Sequence, residues 1–268
     1  MIRFRTMLAL AAAVLAGTAG SARADFEVQF SYNGVTITLD QTTGVTTVSG
    51  GASIAGAIID YSVPGSITVT NLTVSDKGTS GGFKVTATTS DSNSPGSINV
   101  ATIDLESLKI KNQTGVAGSS SLSVTAGDTG FTMPSGAPAP VVSTISVTAS
   151  GANQATAGVS FTSYVDSTNA QFGTQQAMQT INLSPIAAGT SAMQNVYAGA
   201  NVTNTPYSIT QVATFTLGNG DAFTDGSSGT TVLAPAPGGL ILALAGMPAL
   251  GIGAWVCRRV QRVVPTAL

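Results

Sequence analysis

The chain has 268 residues, of which 8% are charged against roughly 25% in ordinary soluble domains, with 31 glycines and no histidine. The missing histidine excludes Ser–His–Asp and Cys–His nucleophiles and zinc sites of Cys and His ligands. Between Asp25 and Asp225 stand twelve acids and four lysines, a net charge of −8, which excludes the basic footprint of a nucleic-acid binder.

The N-terminus has three parts. Arg3 and Arg5 make a positive start, Met7–Gly17 is apolar, and Ala22-Arg23-Ala24 presents small residues before Asp25. That pattern predicts a signal peptide over 1–24, cleaved after Ala24, with Ala22 and Ala24 as the small residues of the cleavage site. The apolar run is about 11 residues, well short of the ~20 that span a bilayer, so a permanent anchor is disfavoured. Arg23 completes the basic set at this end, and the preceding segment should be absent from the mature chain.

From Asp25 onward the chain alternates apolar and polar residues with period two. Val35, Ile37 and Leu39 interleave with Thr36, Thr38 and Asp40; Ile67 and Val69 are followed by Leu72 and Val74 in the opposite phase. Ile103 and Leu105 slip phase in the same way before Leu108 and Ile110, as a bulge or turn would cause. Leu122 with Val124, Ile145 with Val147 and Val159 with Phe161 continue the pattern, and Tyr207 to Leu217 gives the longest face. Turn signals punctuate it: Asn33-Gly34, Gly50-Gly51, Pro64-Gly65, Gly81-Gly82, Pro95-Gly96, Asp128-Thr129-Gly130 and Gly218-Asn219-Gly220. The predicted fold is all-β, an antiparallel β-sandwich of many short strands over 25–218. Pro134–Pro140 reads as a connector, either between two subdomains or as a loop of one sandwich. Gln175–Gln179 is compatible with a short helical turn in an insertion, and 219–237 reads as a flexible Gly/Ser-rich linker.

The C-terminus predicts one transmembrane helix. Gly238–Cys257 is twenty residues without a charge, about 30 Å long as a helix, which matches the hydrocarbon thickness of a bilayer. Arg258, Arg259 and Arg262 follow in the tail 258–268, and Trp255 sits near that end. The arginines should stay cytoplasmic, so the sandwich lies outside the cytoplasm and is held at the inner membrane at least transiently. The lone cysteine, Cys257, is inside the apolar span, so no intramolecular disulfide is available.

Pro235-Ala236-Pro237, one apolar span and Arg258-Arg259 together resemble the tripartite tail of PEP-CTERM proteins, with Ala236 where the common motif has Glu. The Pro-Ala-Pro form resembles variants associated with planctomycetes. The resemblance covers about 30 residues at this end plus the signal peptide. It implies a sorting motif made of Pro235, Ala236, Pro237, Arg258 and Arg259, read by an exosortase in the inner membrane after signal peptidase has acted. It also implies delivery to the cell surface or extracellular matrix, in contact with exopolysaccharide.

The residues between the two ends point to a structural or interaction protein and not to an enzyme. No Ser-x-x-Lys surrounds Lys77, Lys84, Lys109 or Lys111, which read as solvent-facing. Asp104 and Glu106 share one strand face at period two, but glycoside hydrolysis needs a cleft that the sequence does not display. No catalytic residue, metal ligand or cofactor site is assigned. The alternative is a calcium- or glycan-binding adhesive module. Asp221 and Asp225 in a Gly-rich loop are its best calcium donors, and Tyr32, Tyr61, Tyr164, Tyr197 and Tyr207 are the available sugar-stacking rings, since the single Trp lies in the tail.

Overall fold

A computed structural model describes residues 25–51, 54, 56–75, 81–151 and 157–235. Sixteen strands run through these residues, and no helix is present among them. In chain order they are β1 (Glu27–Tyr32), β2 (Val35–Asp40), β3 (Val45–Ser49), β4 (Ile58–Asp60), β5 (Ser66–Thr70), β6 (Leu72–Ser75), β7 (Gly82–Ser92) and β8 (Val100–Asn112). There follow β9 (Ser119–Phe131), β10 (Gly136–Ser150), β11 (Gly158–Asp166), β12 (Gln176–Ala177), β13 (Ile181–Leu183), β14 (Ser191–Val202), β15 (Tyr207–Gly218) and β16 (Ala222–Leu233). The chain divides into one unit ending at Ala234 and a second from Pro235, of which only Pro235 is described.

The strands form two antiparallel sheets. Sheet A has the order β12-β11-β15-β9-β1-β2-β3, with β13 also on β11; sheet B has the order β14-β10-β16-β8-β7-β5-β4, with β6 also on β7. Two sheets stacked face to face make a sandwich, the predicted class. The local reasons are those of the pattern. Asn33 (φ 48°) and Gly34 (φ 78°) both take positive φ, the backbone of a two-residue hairpin turn whose twist suits the flanking strands. That turn sets the register Tyr32↔Val35 through Glu27↔Asp40. The two phase slips are real: Asn71 (φ 57°) separates β5 from β6, and Ser107 (φ 52°) bulges β8 so that Leu105 and Leu108 both stay buried.

The inward faces meet in one apolar core. Phe26, Phe30, Ile37 and Leu39 from one sheet and Ile67, Phe83, Ile103 and Ile110 from the other are all buried. Aromatic pairs staple the sheets together: Tyr32 meets Phe83 edge-on at 5.2 Å, and Phe215 meets Phe223 edge-on at 5.6 Å. Within sheet A, Phe131 stacks on Tyr207 at 5.6 Å.

The structure corrects four readings of the sequence. The sandwich does not end at 218: β16 covers Ala222–Leu233 and pairs with both β10 and β8 near the middle of sheet B, so most of the expected 219–237 linker is a strand. Its Gly and Ser residues need no apolar side chain there, because backbone pairing on both edges holds the segment. Pro134–Pro140 divides nothing, since β10 begins within it at Gly136 and each sheet takes strands from both sides of it. Asp128-Thr129-Gly130 is not a turn but lies inside β9, where the register with β15 shifts as at a bulge. Gln175–Gln179 makes no helical turn; Gln176 and Ala177 are extended as β12, and the Gln176 amide donates to the Asn201 carbonyl (2.9 Å) and accepts from the Asn201 N–H (2.7 Å). An amide bonding twice to a neighbouring backbone gains more from an extended chain than from one isolated helical turn.

The expected signal peptide (1–24) and the apolar span (238–257) lie outside the described residues, as do Ala22, Ala24, Ala236, Pro237, Arg258 and Arg259. Among the described residues no helix is long and apolar enough to cross a membrane.

Candidate functional site

Strand pairing in sheet B lines up one outer-face residue from each of six strands. Asn195 on β14 pairs with Thr144 on β10, Thr144 with Gly229 on β16, Gly229 with Asp104 on β8, Asp104 with Asp91 on β7, and Asp91 with Ser66 on β5. At ~4.8 Å between neighbouring strands the row is about 24 Å long. Beside it runs a second row, Tyr197, Val142, Thr231 and Thr102. The residues one position along each strand, Val196, Ser143, Thr230 and Ile103, are buried between the sheets, so these two rows face outward.

Three features mark this face. Tyr197 is 73% exposed and Met193, four residues earlier on the same side of β14, is 69% exposed. A large ring held on a strand and left in solvent presents an apolar face beside a hydroxyl. Next, Gly229 has no side chain, and a Cβ there would lie 2.3 Å from Asp104 Oδ1 and 3.3 Å from Thr144 Oγ1. The Asp104 carboxyl therefore lies over the glycine, in the space that a side chain there would fill. Finally, Asp104 and Asp91 are direct cross-strand partners of like charge, an arrangement that costs stability and is relieved by a shared proton, a cation or a hydroxyl donor. Burial first, then Glu106 and Asp91, push the Asp104 carboxyl up to about 6.

A second acidic group lies on sheet A. Asp25, Glu27 and Asp40 bring one carboxylate oxygen each within 4.8 Å of one another. The Asn33-Gly34 turn places Glu27 opposite Asp40, and Asp25 follows at period two. Burial and then the charges of Asp25 and Asp40 push Glu27 up to about 7; burial and then Asp40 raise Asp25. Sequence reasoning missed this trio, although the hairpin signal with its implied register was sufficient to find it.

Of the residues singled out from sequence, Asp104 and Glu106 do occur on neighbouring outward positions, with Glu106 exposed beyond the row. Two shallow hollows, one bounded by Ser160, Asn182 and Thr216, the other by Lys109, Lys111 and Thr224, exclude Asp91, Asp104 and Glu106, so neither gathers these acids as hydrolysis would need. Asp221 and Asp225 do not form the expected calcium group: Asp221 is buried against Gly151, whereas Asp225 is exposed on β16, and the acids that gather are the sheet A trio. Among the tyrosines, Tyr207 is core, Tyr32, Tyr61 and Tyr164 are half-buried, and Tyr197 alone is largely exposed. Lys84, Lys109 and Lys111 all belong to β7 and β8.

No protein-family model matches the chain, and no curated protein is similar to it. Among solved structures it is similar to the C-terminal CBM6 module of a laminarinase from Zobellia galactanivorans (9% identity, 47% of this chain and 98% of that one, TM-score 0.25). It is also similar to the xylan-binding module CBM15 (11% identity, 68% and 98%, TM-score 0.28) and to the K3 cleaved adhesin domain of Lys-gingipain from Porphyromonas gingivalis (9% identity, 50% and 74%, TM-score 0.25). Likenesses of this degree carry no inference about what the chain binds.

Proposed function

We propose that this protein is an exported binding module that engages glycan, such as envelope exopolysaccharide, across the outer face of sheet B. The observation that carries the reading is Tyr197, 73% exposed on β14 in the outward row beside the one that runs from Asn195 to the paired Asp104 and Asp91. An aromatic ring offers the apolar side of a sugar a stacking surface, while Asn195, Thr144, Asp104 and Asp91 in the adjacent row offer donors and acceptors along ~19 Å for its hydroxyls. A net-negative domain favours a neutral polysaccharide over an anionic one.

The measurement is a glycan array followed by titration of the best ligand into wild type and Tyr197→Ala. Wild type is expected to bind, and the alanine variant to lose at least tenfold in affinity with its unfolding midpoint within about 1–2 °C of wild type, since an exposed ring contributes little to folding. An array without signal, or equal affinity of the two proteins, would sink the proposal. Retention of affinity in Asp104→Asn together with loss in Tyr197→Ala would assign recognition to the ring and not to the acids.

Export is part of the same proposal: signal peptidase cuts after Ala24, the apolar segment 238–257 holds the protein in the inner membrane, and an exosortase reads Pro235-Ala236-Pro237 with Arg258-Arg259 and passes the module to the surface. Support comes from the three-part N-terminus and the uncharged twenty-residue run followed by arginines. Intact mass of the protein from its native envelope and medium tests this. A chain starting at Asp25 and ending near Pro235–Pro237 is expected; one retaining Met1 contradicts export by cleavage, and one starting at Asp25 but reaching Leu268 leaves a single-pass anchor in place of sorting.

A further inference from the structure

Among the described residues, the strands of sheet A carry negative charge and no positive one. No Lys or Arg occurs on any of its strands; the described lysines belong to β7 and β8 of the other sheet. On this sheet stand the Asp25–Glu27–Asp40 trio and, one strand over on β9, Asp128. Asp128 is fully buried. Its Oδ1 accepts from the Thr129 N–H at 2.7 Å, but its Oδ2 has no hydrogen-bond partner.

What faces that carboxyl is the backbone at Asp25. The register Glu27↔Gly127 carries Phe26 alongside Asp128, and the Phe26 carbonyl accepts from the Gln41 N–H at 3.0 Å, so the chain is held in place up to that point. The Asp25 N–H and the Ser92 hydroxyl both lie toward the Asp128 carboxyl and stabilise its charge, without either meeting Oδ2 in hydrogen-bond geometry. Burial nevertheless dominates and pushes Asp128 up to about 7, with the Asp25 charge adding to it. Among the described residues the titratable groups facing this locus are Asp25 just before β1, Glu27 at its start, Asp40 from β2, Asp128 from β9 and Tyr61, whose phenol also senses Asp40. None supplies a positive charge.

The nitrogen beside Asp128 is the one that a cut between Ala24 and Asp25 would release. We infer that the α-ammonium of Asp25, formed by that cut, is the counter-ion of Asp128 and of the neighbouring trio, so that export processing itself completes the electrostatics of the first strand. The hydrolysis consumes one water and breaks the Ala24–Asp25 amide. Ala24 leaves as a carboxylate, and the Asp25 nitrogen becomes an ammonium with three donors where the amide had one. One donor reaches Oδ2, which the amide leaves unmet, and the charge offsets the burial of the carboxylate. The inference rests on the cleavage position given under the proposed function and goes beyond it, because that position alone does not require the new terminus to be paired.

The test compares two full sandwich proteins, one beginning with a free amine at Asp25 and one carrying Gly-Ser ahead of Asp25, each with and without Asp128→Asn. At pH 7 the free-amine protein is expected to unfold about 5 °C higher than the extended one. The gap should close near pH 4, where Asp128 holds its own proton, and again above about pH 10, where the amine is neutral. Asp128→Asn should remove most of the gap. The amine itself, titrated by NMR in the wild-type free-amine protein, is expected well above its ordinary value of about 8, a readout that survives even if the Asn variant does not fold. Equal midpoints at pH 7, or an amine with its ordinary pKa, would overturn the inference. A rise of the same size in both proteins on adding calcium, with no gap between them beforehand, would also overturn it, by assigning the acids to a metal. An exported chain whose mass begins elsewhere than Asp25 would instead remove the cleavage reading, while leaving the pairing measured in the purified proteins as it is.

Discussion

Tyr207→Ala is expected to lower the unfolding midpoint by about 10 °C, the signature of losing roughly 4 kcal/mol from a domain of this size. Tyr207 opens β15, is fully buried, and stacks on Phe131 at 5.6 Å with the rings 27° apart. Its hydroxyl donates to the Met133 carbonyl at 3.3 Å, which ties the start of β15 to the segment leaving β9. Truncation removes the ring from a closely packed interior and leaves a cavity that neighbouring strands cannot collapse into, because their backbones are paired on both sides. Tyr207→Phe keeps the ring and loses only the hydrogen bond, so its cost should be about 1 kcal/mol. Thermal unfolding of the three proteins checks this; an alanine variant within 2 °C of wild type would show that the ring packs less well than its burial implies. The phenol contributes no pH dependence in the ordinary range, since burial pushes its ionisation far to the alkaline side.

In the protein extended beyond Asp25, the unfolding midpoint is expected to fall by roughly 10 °C between pH 4 and pH 8. Glu27 and Asp128 sit at about 7 and Asp104 at about 6, each raised chiefly by burial. A carboxyl raised in the folded state keeps a proton that the unfolded chain has already released. The folded state therefore binds more protons between about pH 4 and pH 7, and stability falls across that window as pH rises. This is the reverse of a salt-bridged acidic surface, whose stability would fall on acidification. Glu27 and Asp104 are each partly open to solvent, so their share is smaller than their shifts alone would give, and Asp128 carries most of the effect. Midpoints measured in steps of half a pH unit check the direction. Asp128→Asn should flatten most of the slope, Glu27→Gln and Asp104→Asn a smaller part each; a midpoint that rises from pH 4 to pH 8 would contradict the assignment. In the processed chain the Asp25 ammonium should remove the Asp128 share, reduce that of Glu27 in the trio beside it and leave that of Asp104 on the other sheet.

How much of this was legible from the residues differs from element to element. The hairpin of β1 and β2 was open to reading in full, because Asn33-Gly34 sets a two-residue turn and every partner follows by counting outward, Glu27 to Asp40 included. The phase slips at Asn71 and Ser107 also announced themselves, since alternation that changes phase must pass through a residue belonging to neither face. By contrast β16 looked like a linker. Its residues Gly226, Ser227, Ser228 and Gly229 show no alternation, and what makes them a strand is pairing to β10 and β8, which are distant in sequence. Asp128 looked like a turn residue for a similar reason: its neighbours Thr129 and Gly130 favour turns locally, and only the pairing of β9 between β15 and β1 holds the segment extended.

The outer row of sheet B was beyond any local reading. Asn195, Thr144, Gly229, Asp104 and Asp91 come from five strands, and they meet only because each strand found its partner. Composition, period and turns by themselves determined that this chain is all-β, poor in charge and without a histidine-based site, because each of those properties acts within a few residues. The tertiary structure alone decided which acids face one another, which tyrosine stays in solvent and which carboxylate is buried without a counter-ion. A strand's own sequence states which of its faces is apolar; the partner at its edge is chosen by the burial and backbone pairing of the whole sandwich at once.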